Sequence, residues 1–427
     1  MAKGSGYTKP RETRCPLPLF PPRIDCIIAI INAIMDFRRN EAVRQGSSGS
    51  ATSHRSWGEV LLRYVRMPIE VESPEEYGYS RIRYNLSESS VSDRKLSDLG
   101  LTIPDLTLLY GEHRGRERLR ALIAAEGMGI RPDDVLITTG AAGALFIIST
   151  SLLGARDHLI VVRPNYATNI ETPRAIGCAT THIELSFDDG FRIDFDRVAS
   201  GFTTATKMLS VTCPHNPTGV MYSEAELRGL AELARRNGCV LLVDETYRDL
   251  SYGGALPLAA SLGDNVISVA SLSKAYGVPG IRLGWIVTTN AKLQETFLAA
   301  KEQISICGSV IDEWIGEQIM ANRATILAPV LADMRCRRQL VADWIAKEEL
   351  LEWVPPAGGV VCFPRMRDAP SGGTETFYRR LLDVHGTYVG PGRWFEMPDT
   401  CFRLGYGWPT ASELAAGLEG ISRALRG

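Results

Sequence analysis

Short apolar runs alternate with longer helical patterns through the middle of the chain. Five runs rich in Val, Ile and Leu lie at residues 135–139, 159–162, 208–212, 240–243 and 266–270. Because parallel neighbouring strands need long connections, this order predicts an α/β fold with a mostly parallel sheet sandwiched by helices. Ligands bind beyond the carboxyl ends of such strands, so the residues after each run are the candidates for chemistry.

The first 55 residues have a different pattern. Residues 26–35 (CIIAIINAIM) form the most apolar run of the chain. They are about half of the ~20 residues that a membrane span needs, so we expect a short buried or partner-contacting helix and neither a membrane span nor a signal peptide. Residues 45–53 (QGSSGSATS) have the composition of a flexible linker. A helical pattern then runs from Trp57 to Met67, where Pro68 is expected to end it.

Composition excludes several classes of protein. The 427 residues carry 47 Lys and Arg against 49 Asp and Glu, a net charge of −2, which disfavours binding of nucleic acid through bulk positive charge. The nine cysteines are scattered singly, without a CxxC pair. We therefore expect no disulfide framework and no metal site, and we expect a reducing, cytoplasmic compartment.

Three polar motifs follow predicted strands. They are PHNPTG at residues 214–219, DETY at 244–247 and SLSKAYGVPGIRLGW at 271–285. A lysine held at a strand end among small residues, as Lys274 would be, has a lowered pKa and can attack an aldehyde to form a Schiff base. Each motif taken alone is also explained by an ordinary feature, such as an Asn-Pro turn, a buried tyrosine or a solvated loop lysine.

In this order the motifs resemble the fold-type I pyridoxal-phosphate enzymes of the class I/II aminotransferase superfamily, over about residues 80–427. Residues 214–219, 271–285, 356–365 and 389–397 are especially similar to capreomycidine synthase-like biosynthetic enzymes. The resemblance implies pyridoxal 5'-phosphate as the cofactor. It also implies a large domain built on a mostly parallel sheet and a smaller α+β domain at the C-terminus.

The resemblance gives each motif residue a role. Asp244 would keep the ring nitrogen of the cofactor protonated, and Asn216 with Tyr247 would hold the 3-hydroxyl oxygen. Tyr166 would stack on the ring, and Arg403 would bind the α-carboxylate of an amino acid substrate beside Asn216. The phosphate would be bound by a helix start, by hydroxyl groups, by an arginine and by a tyrosine of the neighbouring subunit: Gly140, Ala141, Ala142, Ser271, Ser273, Arg282 and Tyr110.

Two reaction classes stay open. The catalytic residues would be Lys274, Asp244 and Tyr247, with Lys274 acting as the general base at Cα. The resemblance implies an aminotransferase as the commonest outcome. The alternative is a synthase or lyase of specialised metabolism that catalyses β- or γ-elimination, replacement or cyclisation, for example on S-adenosylmethionine or an arginine derivative. A DNA-binding regulator is disfavoured because residues 1–55 contain no basic reading helix.

The motif order also predicts the domain organisation. Residues 1–55 would be an N-terminal extension, and residues 56–79 a segment packed with the small domain. Residues 80–325 would form the large cofactor-binding domain, and residues 326–427 the small C-terminal domain. Because Tyr110 would reach the neighbouring subunit, we expect a homodimer with shared active sites, an amino acid as the small-molecule partner, and no nucleic-acid or membrane partner.

Overall fold

A seven-stranded sheet forms the centre of the protein. The structure, a computed structural model, describes residues 62–427, so the apolar run at 26–35 and the linker at 45–53 lie outside the described residues. The described strands are β1 (Tyr84–Asn85), β2 (Val135–Thr139), β3 (His158–Arg163), β4 (Ala179–Glu184), β5 (Thr206–Thr212), β6 (Val240–Asp244), β7 (Val266–Ser271), β8 (Leu283–Val287), β9 (Leu351–Glu352), β10 (Val361–Cys362), β11 (Arg365–Met366), β12 (Thr387–Tyr388), β13 (Gly390–Pro391) and β14 (Phe402–Gly405).

Helices connect and cover these strands. They are α1 (Pro68–Val71), α2 (Pro74–Tyr77), α3 (Glu117–Ala124), α4 (Gly140–Leu152), α5 (Ala167–Ile176), α6 (Phe195–Ser200), α7 (Glu224–Arg236), α8 (Ala291–Ser305), α9 (Val310–Ala321), α10 (Arg323–Ile345), α11 (Gly373–Asp383) and α12 (Ala411–Arg426). The predicted helix up to Met67 is wrong for residues 62–67, which are not helical. Pro68 begins a helix instead of ending one, because the first helical position needs no N–H donor.

The order of the central sheet is β2-β8-β7-β6-β5-β3-β4. Strands β3 to β7 pair in parallel, whereas β8 is antiparallel to both of its neighbours. The predicted mostly parallel α/β sheet is therefore confirmed. All five predicted strands are present, each starting or ending within two residues of the predicted bounds or at them.

Both faces of the sheet are covered. In β3, Ile160 and Val162 pack into one hydrophobic cluster, and Leu159 and Val161 pack into another. Because side chains alternate along a strand, these two clusters lie on opposite faces. Burial on both faces explains why the inner strands of the sheet are mostly apolar without regular polar alternation, whereas the edge strand β4 is not.

The C-terminal part contains short antiparallel strands, with β14 between β10 and β13. A segment from near the start of the described chain joins this part: β1 pairs in parallel with β12, and the Gly405 N–H donates to the Leu86 carbonyl at 2.7 Å. The same segment reaches the central sheet region, where the Val91 N–H donates to the Lys274 carbonyl at 3.1 Å. Residues 84–91 are called the strap below, because they contact both β14 and the loop after β7.

Candidate active site

A cavity of about 130 Å³ lies at the carboxyl ends of β2, β5, β6 and β7. Parallel strands bring their carboxyl ends to one edge of the sheet, so residues distant along the chain meet there. The cavity is lined by these residues predicted from the motifs: Ala141, Ala142, Tyr166, Asn216, Asp244, Tyr247, Ser271, Ser273, Lys274 and Arg282.

Lys274 lies three residues after the end of β7, and its side chain lines the cavity. Its Nζ donates a hydrogen bond to the Ser89 Oγ of the strap at 3.0 Å. Burial lowers the pKa of Lys274, and the nearby Glu88 carboxylate opposes that shift. A lowered pKa increases the fraction of neutral amine, which is the form that attacks a carbonyl carbon.

Asp244 ends β6 and is 4% exposed. Its Oδ1 accepts hydrogen bonds from the Thr246 N–H at 3.1 Å and from the Thr246 hydroxyl at 2.6 Å. Burial raises the pKa of Asp244, whereas the Thr246 hydrogen bonds lower it. No cationic side chain of residues 62–427 forms an ion pair with this carboxylate. A protonated aromatic nitrogen in the cavity would supply the missing charge.

Backbone amides, hydroxyl groups and a cation meet at the start of α4. This helix begins at Gly140, which has φ +68°, and no side-chain hydrogen bond caps its first turn. A Cβ on Gly284 would lie 2.4 Å from the Gly140 carbonyl carbon, so β8 passes closely only because residue 284 is glycine. Uncapped amides at a helix start, with the helix dipole behind them, favour an anion.

Arg282 is next to this helix start and is exposed. Its Nη1 donates to the Pro279 carbonyl at 2.8 Å and lies 3.5 Å from the Ser273 Oγ. Within the described chain, Arg282 has no carboxylate partner. Together with the hydroxyl groups of Ser271 and Ser273, it provides the donor set that a phosphate group requires.

Arg403 is a buried cation on β14 that also lacks a carboxylate partner in the described part of the chain. Its Nη1 donates to the Asn216 Oδ1 at 3.2 Å and its Nη2 to the Ser87 carbonyl at 2.8 Å. The Nε has no hydrogen-bond partner among residues 62–427. A buried guanidinium is costly unless an anion pairs with it, so the arrangement fits a carboxylate ligand.

The two predicted tyrosines of the cavity are placed differently. Tyr166 lines the cavity from the residue just before α5. The Tyr247 hydroxyl donates to the Ser89 carbonyl at 2.8 Å. Burial raises the pKa of Tyr247, so its proton stays on the oxygen. Because this single proton is directed at the strap, the role of Tyr247 toward a cofactor oxygen stays a prediction.

Tyr110 does not lie with the other predicted residues. It is 79% exposed, and residues 101–112 around it form neither helix nor strand. The predicted contact with the phosphate of a neighbouring subunit stays a prediction.

Four residues that border the cavity were not predicted as site residues from the sequence, namely Ser89, Thr212, Thr246 and Pro279. Thr246 lies inside the DETY motif and could have been noticed as a hydroxyl next to Asp244. Ser89 belongs to the polar run of residues 87–90. Nothing local indicates that this run reaches Lys274, because its position depends on the pairing of the strap with distant strands.

A second cavity of about 400 Å³ adjoins the first. It shares Ser89, Tyr166 and Lys274 with the first cavity, and Arg403 also lines it. The candidate cofactor site therefore opens into a larger space that contains the unpaired guanidinium.

Residues 62–427 contain no cluster of side chains suited to a metal ion. In the same range, no helix has the length and apolar character needed to cross a membrane.

Comparisons with known proteins agree with this geometry. Residues 102–421 match the model of the family described as aminotransferase class I and II. Capreomycidine synthase of Streptomyces vinaceus is 30% identical over 362 residues, covering 81% of this chain and 91% of that protein. The structure of a PLP-dependent aminotransferase from Streptococcus suis superposes with a TM-score of 0.77 at 28% identity, covering 83% of this chain and 96% of the other.

A further solved structure, the PLP-dependent cyclase OrfR, has a TM-score of 0.75 and 29% identity, covering 86% of this chain and 99% of the other. Uncapped amides with Arg282, the unpaired acid Asp244 and the amine of Lys274 fit the phosphate, ring nitrogen and aldehyde of pyridoxal 5'-phosphate. The chain belongs to the class I and II aminotransferase family of fold-type I enzymes, and its cofactor is pyridoxal 5'-phosphate.

Proposed function

We propose that this protein is an aminotransferase that acts at the Cα of an amino acid, with Lys274 as the catalytic amine. The main observation behind the proposal is that a catalytic amine and an unpaired cation line the same cavity. The Lys274 amine and the unpaired Arg403 guanidinium both line it, so a carboxylate held by Arg403 would keep Cα next to the amine.

Each end of the cofactor has its own binding groups in this proposal. The amides at the start of α4, with Arg282, Ser271 and Ser273, bind the phosphate. Asp244 holds a proton at the ring nitrogen, with Thr246 fixing the orientation of the carboxylate. The bound cofactor supplies an aldehyde that condenses with an amine and a ring that withdraws electrons from a bond at Cα.

Lys274 and Arg403 then act on the substrate. Arg403 binds the α-carboxylate, and Asn216 fixes the guanidinium by accepting from its Nη1. Lys274 moves the Cα proton, for which its lowered pKa suits it. Tyr166 and Ser89 of the strap border the same space.

A second candidate function is a synthase or lyase that catalyses elimination, replacement or cyclisation on the same scaffold. It is supported by the 30% identity to capreomycidine synthase and by the structural likeness to the PLP-dependent cyclase OrfR. All the residues named above would have the same roles, because both reaction classes begin by removing the Cα proton.

One experiment separates the two candidates. The cofactor-loaded protein is incubated with a panel of amino acids, and absorbance, keto acids and released groups are measured together. An aminotransferase converts the cofactor to its amine form and yields a keto acid in equal amount. A synthase or lyase releases a leaving group or a cyclised product while the amine form does not accumulate. Absence of any reaction with every amino acid would count against both.

We also propose a homodimer with shared active sites. Three neighbouring side chains, Leu108, Leu109 and Tyr110, are 59–79% exposed on a segment without helix or strand. Adjacent exposed apolar side chains are typical of a surface covered by a partner. Light scattering should give twice the chain mass of 46.8 kDa. Replacing Leu108 and Leu109 with Ser should yield the single-chain mass, and a wild-type monomer would contradict the proposal.

The domain boundaries and the compartment are further proposals. Residues 80–325 would bind the cofactor and residues 326–427 would bring Arg403 to it. A reducing, cytoplasmic compartment is supported by the cysteines of residues 62–427, all of which are free.

A further inference from the structure

The larger cavity next to Lys274 is bordered by carboxylates. Glu70, Glu75, Glu76 and Glu88 all line it. Glu70, Glu75 and Glu76 come from the region of α1 and α2, whereas Glu88 comes from the strap. These four glutamates, called the acidic wall below, therefore border the space that the substrate would enter.

Most of these carboxylates have no ion-pair partner in the part of the chain that the structure describes. Arg66 forms an ion pair with Glu76 at 3.4 Å. Among residues 62–427, no ion pair involves Glu70, Glu75 or Glu88. The other two cations of the cavity, Lys274 and Arg403, are assigned by the proposed function to the cofactor and to the substrate carboxylate. Glu70, Glu75 and Glu88 then have no counter-charge within residues 62–427; Glu70 and Glu75 are exposed, and Glu88 is half-buried.

Glu88 lies between the two groups that would bind and process the substrate. The preceding residue, Ser87, accepts a hydrogen bond from Arg403, and the following residue, Ser89, accepts one from Lys274. The Oε1 of Glu88 accepts hydrogen bonds from the Tyr79 hydroxyl at 3.3 Å and from the Asn85 amide at 3.5 Å. The carboxylate is thus held in place beside the reaction centre.

Two observations point to a ligand in this cavity, one at Arg403 and one at the carboxylates. Arg403, which is 4% exposed, has an Nε without a partner in the described part of the chain, so the cavity is built to receive an anion at this end. Burial raises the pKa of Glu88, Lys274 opposes the shift, and the like charge of Glu75 adds to it. A cation placed between the two glutamates would remove this repulsion.

We propose that the amino acid substrate carries a positively charged side chain, recognised by Glu88 together with Glu75. The inference rests on the proposed function, because that function places the α-carboxylate at Arg403 and Cα at Lys274. The side chain is then left to face the acidic wall. A guanidinium, an ammonium or a sulfonium group satisfies it, whereas a neutral chain leaves the carboxylates unpaired and an anionic chain is repelled.

The test compares matched pairs of ligands on the cofactor-loaded protein. Dissociation constants are measured from the change in cofactor absorbance for L-arginine against L-citrulline, L-lysine against L-norleucine, and S-methyl-L-methionine against L-methionine. The cationic member of at least one pair should bind about tenfold tighter or more. Which pair shows the preference distinguishes the three cationic groups.

Variants then assign the preference to the wall. Glu88→Gln should reduce the cationic preference by about tenfold while binding of the neutral ligand and of the cofactor changes less than about twofold. Glu75→Gln should also reduce the cationic preference. This second variant tests the proposal if Glu88→Gln does not fold. Glu419→Gln is the control, because it removes one exposed carboxylate on α12 that pairs with Arg423 at the surface.

The inference is wrong if every pair binds equally, if an amino acid with a neutral or anionic side chain is bound most tightly, or if the cationic preference survives both variants. These results leave the proposed function intact, since cofactor binding and reaction at Cα would still be observed. A protein that forms no covalent bond with the cofactor through Lys274 would overturn the proposed function and this inference with it.

Discussion

Glu245 should make the stability of the protein depend on pH in a direction that the structure determines. The residue follows Asp244 at the end of β6, and its side chain is 3% exposed. Oε1 accepts a hydrogen bond from the Ala259 N–H at 3.0 Å, whereas Oε2 has no partner among residues 62–427. Burial raises the pKa of Glu245 from 4.5 to about 7, with Arg248 opposing the shift.

The sign and size of the effect follow from proton binding. In the unfolded chain the carboxyl loses its proton near pH 4.5, and in the folded protein it keeps the proton up to about pH 7. The folded state therefore binds more protons across this window, and the free energy of unfolding falls as the pH rises. The contribution is fully present below pH 4.5 and is lost by the time the pH has passed 7. Its total size is about 3 kcal/mol.

Glu245→Gln removes the titrating group and keeps the shape of the side chain. Urea unfolding at pH 5 and pH 8 gives the decrease in unfolding free energy for each protein. The decrease should be about 2–3 kcal/mol smaller in the variant than in the wild type. Glu419→Gln, at the exposed surface of α12, should keep the wild-type decrease. An equal decrease in the wild type and in Glu245→Gln would refute the reasoning.

Two further predictions concern the ends of the ligand site. Gly284→Ala should weaken binding of pyridoxal phosphate by about tenfold or more, because the added Cβ would lie 2.4 Å from the Gly140 carbonyl carbon. Titration of the apoprotein with pyridoxal phosphate measures the affinity. Gly280→Ala is the control, because a Cβ there meets nothing within 4 Å. Equal affinities of the two variants would contradict the prediction. Arg403→Lys should raise KM for the amino acid by about tenfold or more without loss of cofactor binding, since an ammonium cannot replace the guanidinium fork. An unchanged KM would contradict the assignment of Arg403 to the carboxylate.

Local sequence patterns were sufficient to predict most strands of the central sheet. The parallel strands β3, β5, β6 and β7 are largely apolar runs, and α-helices follow β3 and β5, so these strands and their parallel pairing could be predicted; β6 and β7 are joined without an α-helix. Strand β4 was missed because Thr180, Thr181 and His182 interrupt any apolar run at this edge of the sheet. Strand β8 was missed because its LGWIV sequence continues directly from the lysine motif and was interpreted as part of it.

The site residues also fall into those that could be predicted from the sequence and those that could not. Residues at strand ends, such as Asp244 and Lys274, could be predicted because chain order fixes which strand each residue follows. The strap could not, because its position depends on Leu86 contacting Gly405 and on Val91 contacting Lys274, both far apart along the chain. Glu88 and the hydrogen bond from Tyr247 to Ser89 depend on that contact, so local sequence carried no signal for them.

The central claim is that Lys274 is the amine that binds pyridoxal phosphate covalently. Its most direct test is borohydride reduction of the cofactor-loaded protein, followed by digestion and mass spectrometry of the labelled peptide. We expect one cofactor mass on the peptide that contains Lys274, and none in Lys274→Ala. Lys301 is an internal comparison, because it is buried outside the cavity with its Nζ donating to the His113 carbonyl. A label on Lys301 or any other lysine, or no label on a protein that has bound the cofactor, would contradict the account.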